Sequence, residues 1–244
     1  AAARLHAGPG RGAAASFSVP GGAAFGFVLR RSRFCFASAF RALSLLGARR
    51  GLLGVLAALA AGSVGYTIVF GAQLPDPARY LPPTAHVAPL GWHLVLGGFA
   101  FGVGMVLAGG CISGNLYRLG EGSLVAPVVL LAAVVGYWGG FRAWNSIYLA
   151  SIAAGPLGWL PQSLGYGGAL AVQLGALAGL AALLLWKGTA LTPAPGAPVD
   201  LGGALRRVFV EGWPRWIGGI AVGAIGTAVF LRAKPLGVTA ELGR

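Results

Sequence analysis

Apolar residues along this chain gather into blocks long enough to cross a bilayer, and the polar residues gather between them. Residues 51–72 predict a first full span, entered after Arg49 and Arg50, with Gly54, Ala57, Ala58, Ala61, Gly62 and Gly65 recurring at helical spacing. Small residues on one helix face permit close approach in lipid, where packing and not hydrophobic exclusion drives helix association. Further spans are expected over residues 91–108, about 124–140, 169–186 and 216–231, each near the ~20 residues that a hydrocarbon core of about 30 Å requires. Tyr137, Trp138, Trp144 and Tyr148 form an aromatic belt at the far end of the third.

Two stretches depart from this plan. Residues 17–29, FSVPGGAAFGFVL, are apolar but shorter than a span and open on Pro20, Gly21 and Gly22, which suits a re-entrant or interfacial segment. Residues 155–168 are rich in Gly and Pro and suit a loop or a second shallow element. Residues 1–16 read as a low-complexity tail, 73–90 as a proline-rich outer loop and 188–215 as the longest polar link. The expected organisation is that tail followed by a single transmembrane domain over 17–244.

The interruption that matters most falls in residues 97–122, GGFAFGVGMVLAGGCISGNLYRLGEG. Gly109 and Gly110 weaken helical continuity, and Ser113 and Asn115 are residue types that cap the first turn of a following short helix. Backbone released by such a break cannot face lipid, so it lies against protein or lines a cavity. Laying Phe25-Gly26 over Phe101-Gly102 brings Cys35 onto Cys111 without a gap, and an aromatic-arginine pair follows each: Phe40-Arg41 and Tyr117-Arg118. The two cysteine segments, 22–50 and 97–122, read as an internal repeat, the arrangement by which many transporters build a site between halves. The fold expected is all-α, a polytopic transmembrane helical bundle with short re-entrant or broken helices bearing the cysteines.

Composition agrees: 57% of residues are hydrophobic and 9% charged, with 43 glycines, which excludes an ordinary soluble core and a disordered chain. A net charge of +13 would suit nucleic acid, but the cations fall between spans, not in a stripe on a soluble domain, so no nucleic-acid partner is expected. If crossings alternate, Arg30, Arg31, Arg33, Arg41, Arg49, Arg50, Arg118, Lys187, Arg206, Arg207 and Arg215 share one side, which the positive-inside tendency makes cytoplasmic. Two cysteines 76 residues apart and three scattered histidines form no metal or CxxC pattern, so no metal, cofactor or enzymatic centre is expected.

A thiol is soft, polarizable and a weak donor. In an apolar constriction it can donate to a sulfur-bearing anion without holding it tightly, as conduction requires. Arg33, Arg118 and the N-terminus of a short helix near Ser113 would draw the anion in. The candidate pathway is therefore Cys35, Cys111, Arg33, Gly110, Ser113, Asn115 and Arg118. The bland alternative is a pair of cysteines that merely pack as small hydrophobes. The glycine pair and the repeated placement argue against it.

FGFVLRRSRFCFASAFR at 25–41 and GVGMVLAGGCISGNLYRLGEG at 102–122 resemble the two cysteine-bearing signatures of the YeeE/YedE family of bacterial inner-membrane proteins, and KPLGVTAEL at 234–242 is similar to that family's link into its later half. The resemblance implies uptake of thiosulfate or a related sulfur anion across the inner membrane through a multi-pass bundle narrowed at its middle, with Cys35 and Cys111 as pathway cysteines. It also implies a cytoplasmic sulfur-carrier or sulfurtransferase protein as partner. Family members continue into a further half with additional cysteines, so a truncated member, or one completed by a partner, is expected. Readings from other classes are a membrane thiol-disulfide oxidoreductase pairing Cys35 with Cys111, and a non-transporting subunit of a sulfur-handling complex.

Overall fold

A computed structural model describes residues 11–73, 76, 87, 89–153, 155–156, 158–186 and 213–232. Among these residues the only regular structure is helical. The chain divides into two compact units, Ala1–Pro75 with Leu170–Leu236, and Asp76–Ala169 with Gly237–Arg244. Most of the expected loop 73–90 and link 188–215, and the closing KPLGVTAEL, lie outside the described residues.

The first unit is built on α1 (Arg11–Ser32), α2 (Phe36–Leu46), α3 (Arg50–Gln73) and α8 (Arg215–Arg232). The helix α1 begins inside the stretch expected to be a tail and runs on through Pro20 to Ser32, so the short apolar segment 17–29 is part of a 22-residue helix. Alanine-rich sequence favours the helix there, whatever its low complexity. The glycine stripe of α3 meets α8 as its spacing predicts. A Cβ on Gly54 would stand 2.8 Å from the Arg215 carbonyl oxygen, and one on Gly223 would stand 2.7 Å from the Ala61 Cβ. Gly219 lies against the Gly54 carbonyl and Gly65 against Thr227, contacts too close for any larger side chain. At the far end of this seam Phe230 packs tilted against Tyr66 and edge-on to Phe70, with centroids at 4.8 and 5.6 Å.

On its other side α3 packs on α2 through a small core of Ala39, Leu52 and Val55, joined by Phe34, Leu43 and Leu184. Leu184 comes from the end of α7 (Leu160–Trp186), and Arg49 donates to its carbonyl at 3.0 Å. A cation there satisfies a carbonyl that the ending helix leaves open and complements its dipole.

The second unit holds α4 (Trp92–Leu107), α5 (Ile112–Gly120), α6 (Val125–Ile147) and a π-helical turn at Tyr148–Ile152 that continues α6. The third span is thus longer than the 124–140 expected. At 16 residues α4 is about 24 Å long, short of the ~30 Å hydrocarbon thickness. Crossing therefore involves the break after it as well. Leu90 N–H donates to Pro156 O at 2.9 Å and ties the entry of α4 to the turn before α7.

Residues 155–168 turn out to be loop only in part. The helix α7 already starts at Leu160 and kinks at Gly165, whose φ of 68° and ψ of 172° lie outside helical space. Counting the break, the segments Arg50–Ala72, Trp92–Gly120, Val125–Ile152 and Leu160–Trp186 are long and apolar enough to span, and Arg215–Leu231 is a shorter apolar helix. The protein is a multi-pass helical membrane protein.

Candidate functional site

Each cysteine sits at the same kind of place: the capping residue of a short helix, directly after a longer helix has been stopped by a left-handed residue. In the first unit α1 ends at Ser32, and Arg33 adopts φ 47°. Arg33 N–H bonds Arg30 O at 3.4 Å, and Phe34 N–H reaches back to Leu29 O at 3.2 Å. That pair closes a helix C-terminus in the manner usually reserved for glycine. The chain then extends through Cys35 (φ −142°, ψ 124°) and re-enters a helix at Phe36. In the second unit Gly109 (φ 64°) stops α4, its N–H bonds Val106 O at 3.2 Å, and Cys111 (φ −77°, ψ 169°) opens α5.

The two sulfurs differ in what holds them. Cys111 Sγ accepts from Gly114 N–H at 3.4 Å, so the thiol itself caps α5. This corrects the expectation that Ser113 and Asn115 do the capping: the helix starts at Ile112, which puts both inside it. Asn115, 1% exposed, instead donates its amide backwards to Gly110 O at 3.3 Å and Cys111 O at 3.2 Å. Arg118 donates to Gly109 O at 3.2 Å. The carbonyls of Gly109 and Gly110, at the break itself, are thus taken up by the Arg118 and Asn115 side chains, while Cys111 O accepts both the Asn115 amide and, at 2.9 Å, the Asn115 backbone N–H that opens the helical ladder. Without those side chains a break in an apolar region would leave polar backbone unpaired. Asn115 Oδ1 is buried and has no partner among the described residues.

Cys35 is 9% exposed, and its side chain makes no capping bond to α2, whose Ser38 hydroxyl donates to Cys35 O at 2.9 Å. Cys35 lines a small pocket of about 10 Å³, room for roughly one water. Arg33, Ser38, Ala39, Gly51 and Arg215 line it with Cys35.

The structure therefore brings Arg33 together with Cys35 in the first unit, and Gly110, Ser113, Asn115 and Arg118 together with Cys111 in the second. It adds Arg215, which sequence reasoning had taken only as a marker of topology. Gly51 and Gly54 are what allow Arg215 to come in, but nothing local in the sequence names it as their partner. Neither cysteine is in a disulfide. Among the described residues no group of three or more His, Cys, Asp or Glu could hold a metal.

A family model described as sulphur transport matches residues 31–244. The thiosulfate transporter TsuA of Escherichia coli (strain K12) is 36% identical over 115 residues, which are 47% of this chain and 30% of that protein. TsuA of Spirochaeta thermophila is 37% identical over 126 residues, 50% of this chain and 36% of that protein. The probable transporter YedE of Salmonella typhimurium is 31% identical over 150 residues, 57% and 35% of the two chains. The chain spans about a third of the length of these relatives.

Proposed function

The chain belongs to the sulphur transport family, and on that premise we propose that it forms part of a path carrying thiosulfate or a similar sulfur anion through a bacterial inner membrane, with Cys35 and Cys111 as successive thiol contacts. The observation that carries this reading is the shared placement of the two cysteines, each at an extended residue between a stopped helix and a new one. A helix N-terminus presents N–H groups and a positive dipole end. An anion passing either cysteine would meet that field and the S–H together. At Cys111 the sulfur accepts from Gly114 N–H, which fixes the thiol at the start of α5. S–H donation to a soft terminal sulfur is weak, so the anion is passed on and not trapped.

No covalent bond is formed in this scheme, and the thiols stay reduced throughout. The names of the matched relatives, two thiosulfate transporters and a probable transporter, support the substrate class. A cytoplasmic sulfur carrier or sulfurtransferase is the class of partner that would consume a delivered sulfane sulfur. The test is uptake of radiolabelled thiosulfate into cells or proteoliposomes by the wild type, Cys35→Ala and Cys111→Ala. Loss of uptake in each variant is expected, and unchanged uptake in both rejects the relay.

A further inference from the structure

The pocket at Cys35 is lined by two arginines that are far apart in the sequence. Arg33 belongs to the break between α1 and α2, and Arg215 is the first residue of α8. Several contacts hold the two segments together. Trp213 N–H donates to Arg31 O at 3.1 Å, and the Trp213 ring stands edge-on to Phe27 with centroids 6.0 Å apart. The Arg215 backbone is seated on Gly54, and a Cβ on Gly51 would lie 3.4 Å from an Arg215 guanidinium nitrogen. Both arginines are exposed, whereas Cys35 between them is buried. The described residues of this unit include no Asp or Glu that could neutralise either.

We propose that Arg33 and Arg215 form a two-pronged seat for a small tetrahedral oxyanion, with one terminal atom of the anion turned into the pocket against the Cys35 thiol. Two cations at the mouth of a pocket, with no carboxylate beside them among the described residues, create a field that a dianion would fill. Planar guanidinium groups also suit the paired oxygens of a tetrahedral anion better than an ammonium would. The pocket is too small for the whole ion, since about 10 Å³ is room for roughly one water; in this pose the oxygens stay outside with the arginines while the remaining terminal atom is turned toward Cys35. A thiosulfate ion has one terminal atom that differs from the other three, and this seat would read that difference.

The proposal deepens the transport reading and rests on it for the identity of the anion, but the seat can be tested apart from transport. In the full chain carrying Cys111→Ala, the rate at which Cys35 is modified is measured with an anionic, sulfonate-bearing methanethiosulfonate and with the neutral methyl reagent. The ratio of the two rates cancels changes in access. In Arg215→Gln and in Arg33→Gln the ratio is expected to fall about tenfold, Arg215→Lys is expected to keep most of it, and sodium thiosulfate is expected to protect Cys35 in the parent and not in Arg215→Gln. A ratio unchanged in Arg215→Gln, or a Cys35 that neither reagent reaches, overturns the seat. If the charge dependence and the protection are present but the protein takes up no thiosulfate, the seat stands and the transport reading fails. If uptake depends on Cys35 while the ratio ignores Arg215, the reverse holds.

Discussion

Arg33 and Gly109 stand two residues before Cys35 and Cys111 respectively, and both have positive φ, 47° and 64°. The 76-residue offset that superimposes the cysteines also superimposes these two residues. The chain stops a helix in the same way twice, once with the residue type suited to it and once with an arginine. A non-glycine residue in the left-handed region carries about 1 kcal/mol of strain.

That difference makes a paired prediction. Gly109→Ala is expected to lower stability in detergent by about 1 kcal/mol, since the Cβ is forced into the left-handed region. Arg33→Gly is expected to raise it by a similar amount while weakening anion capture at Cys35. Thermal unfolding of the two variants beside the wild type checks the signs. An Arg33→Gly variant that is less stable would mean the side chain holds the break together.

The fastening of the second break predicts a different behaviour. Asn115→Ala removes the amide that serves the Gly110 carbonyl at a site 1% exposed, while Cys111 O keeps its backbone bond from residue 115. Leaving a buried carbonyl unpaired costs about 1–3 kcal/mol, and the start of α5 should loosen. The expected readout is a several-fold faster reaction of Cys111 with a neutral maleimide in Asn115→Ala. The rate at Cys35 should not change. Equal acceleration at both cysteines would point to general unfolding instead.

How much of this was legible beforehand depended on how local the cause was. The spans were readable because apolar length alone decides what crosses lipid, and the stripe from Gly54 to Gly65 foretold a close helix contact, though not that α8 would be its partner. The break at Gly109 was visible as a glycine pair, but the break at Arg33 was not, since nothing about an arginine announces positive φ. Reading Ser113 and Asn115 as caps followed from residue preference. The cap fell to Cys111 because the helix starts one residue after it, so Asn115 is placed to reach back to the Gly110 and Cys111 carbonyls. Arg215 was out of reach of any local argument, because what brings it to Cys35 is the meeting of segments far apart in sequence.

The α3–α8 seam carries the last prediction, since it fixes Arg215 by backbone contact. Gly219 lies against the Gly54 carbonyl and leaves no space for a Cβ. Gly219→Leu should therefore push the helices apart, costing at least about 3 kcal/mol and moving the start of α8 away from the Cys35 pocket. Gly226 has open space around its Cα, so Gly226→Ala on the same helix should be nearly silent. Comparing the two by thermal unfolding and by the charge dependence of Cys35 modification separates a local seam from a general intolerance of α8. If Gly226→Ala is as damaging as Gly219→Leu, the close approach described for this interface is wrong. If Gly219→Leu loses stability yet keeps the anionic preference at Cys35, Arg215 does not owe its place to the seam.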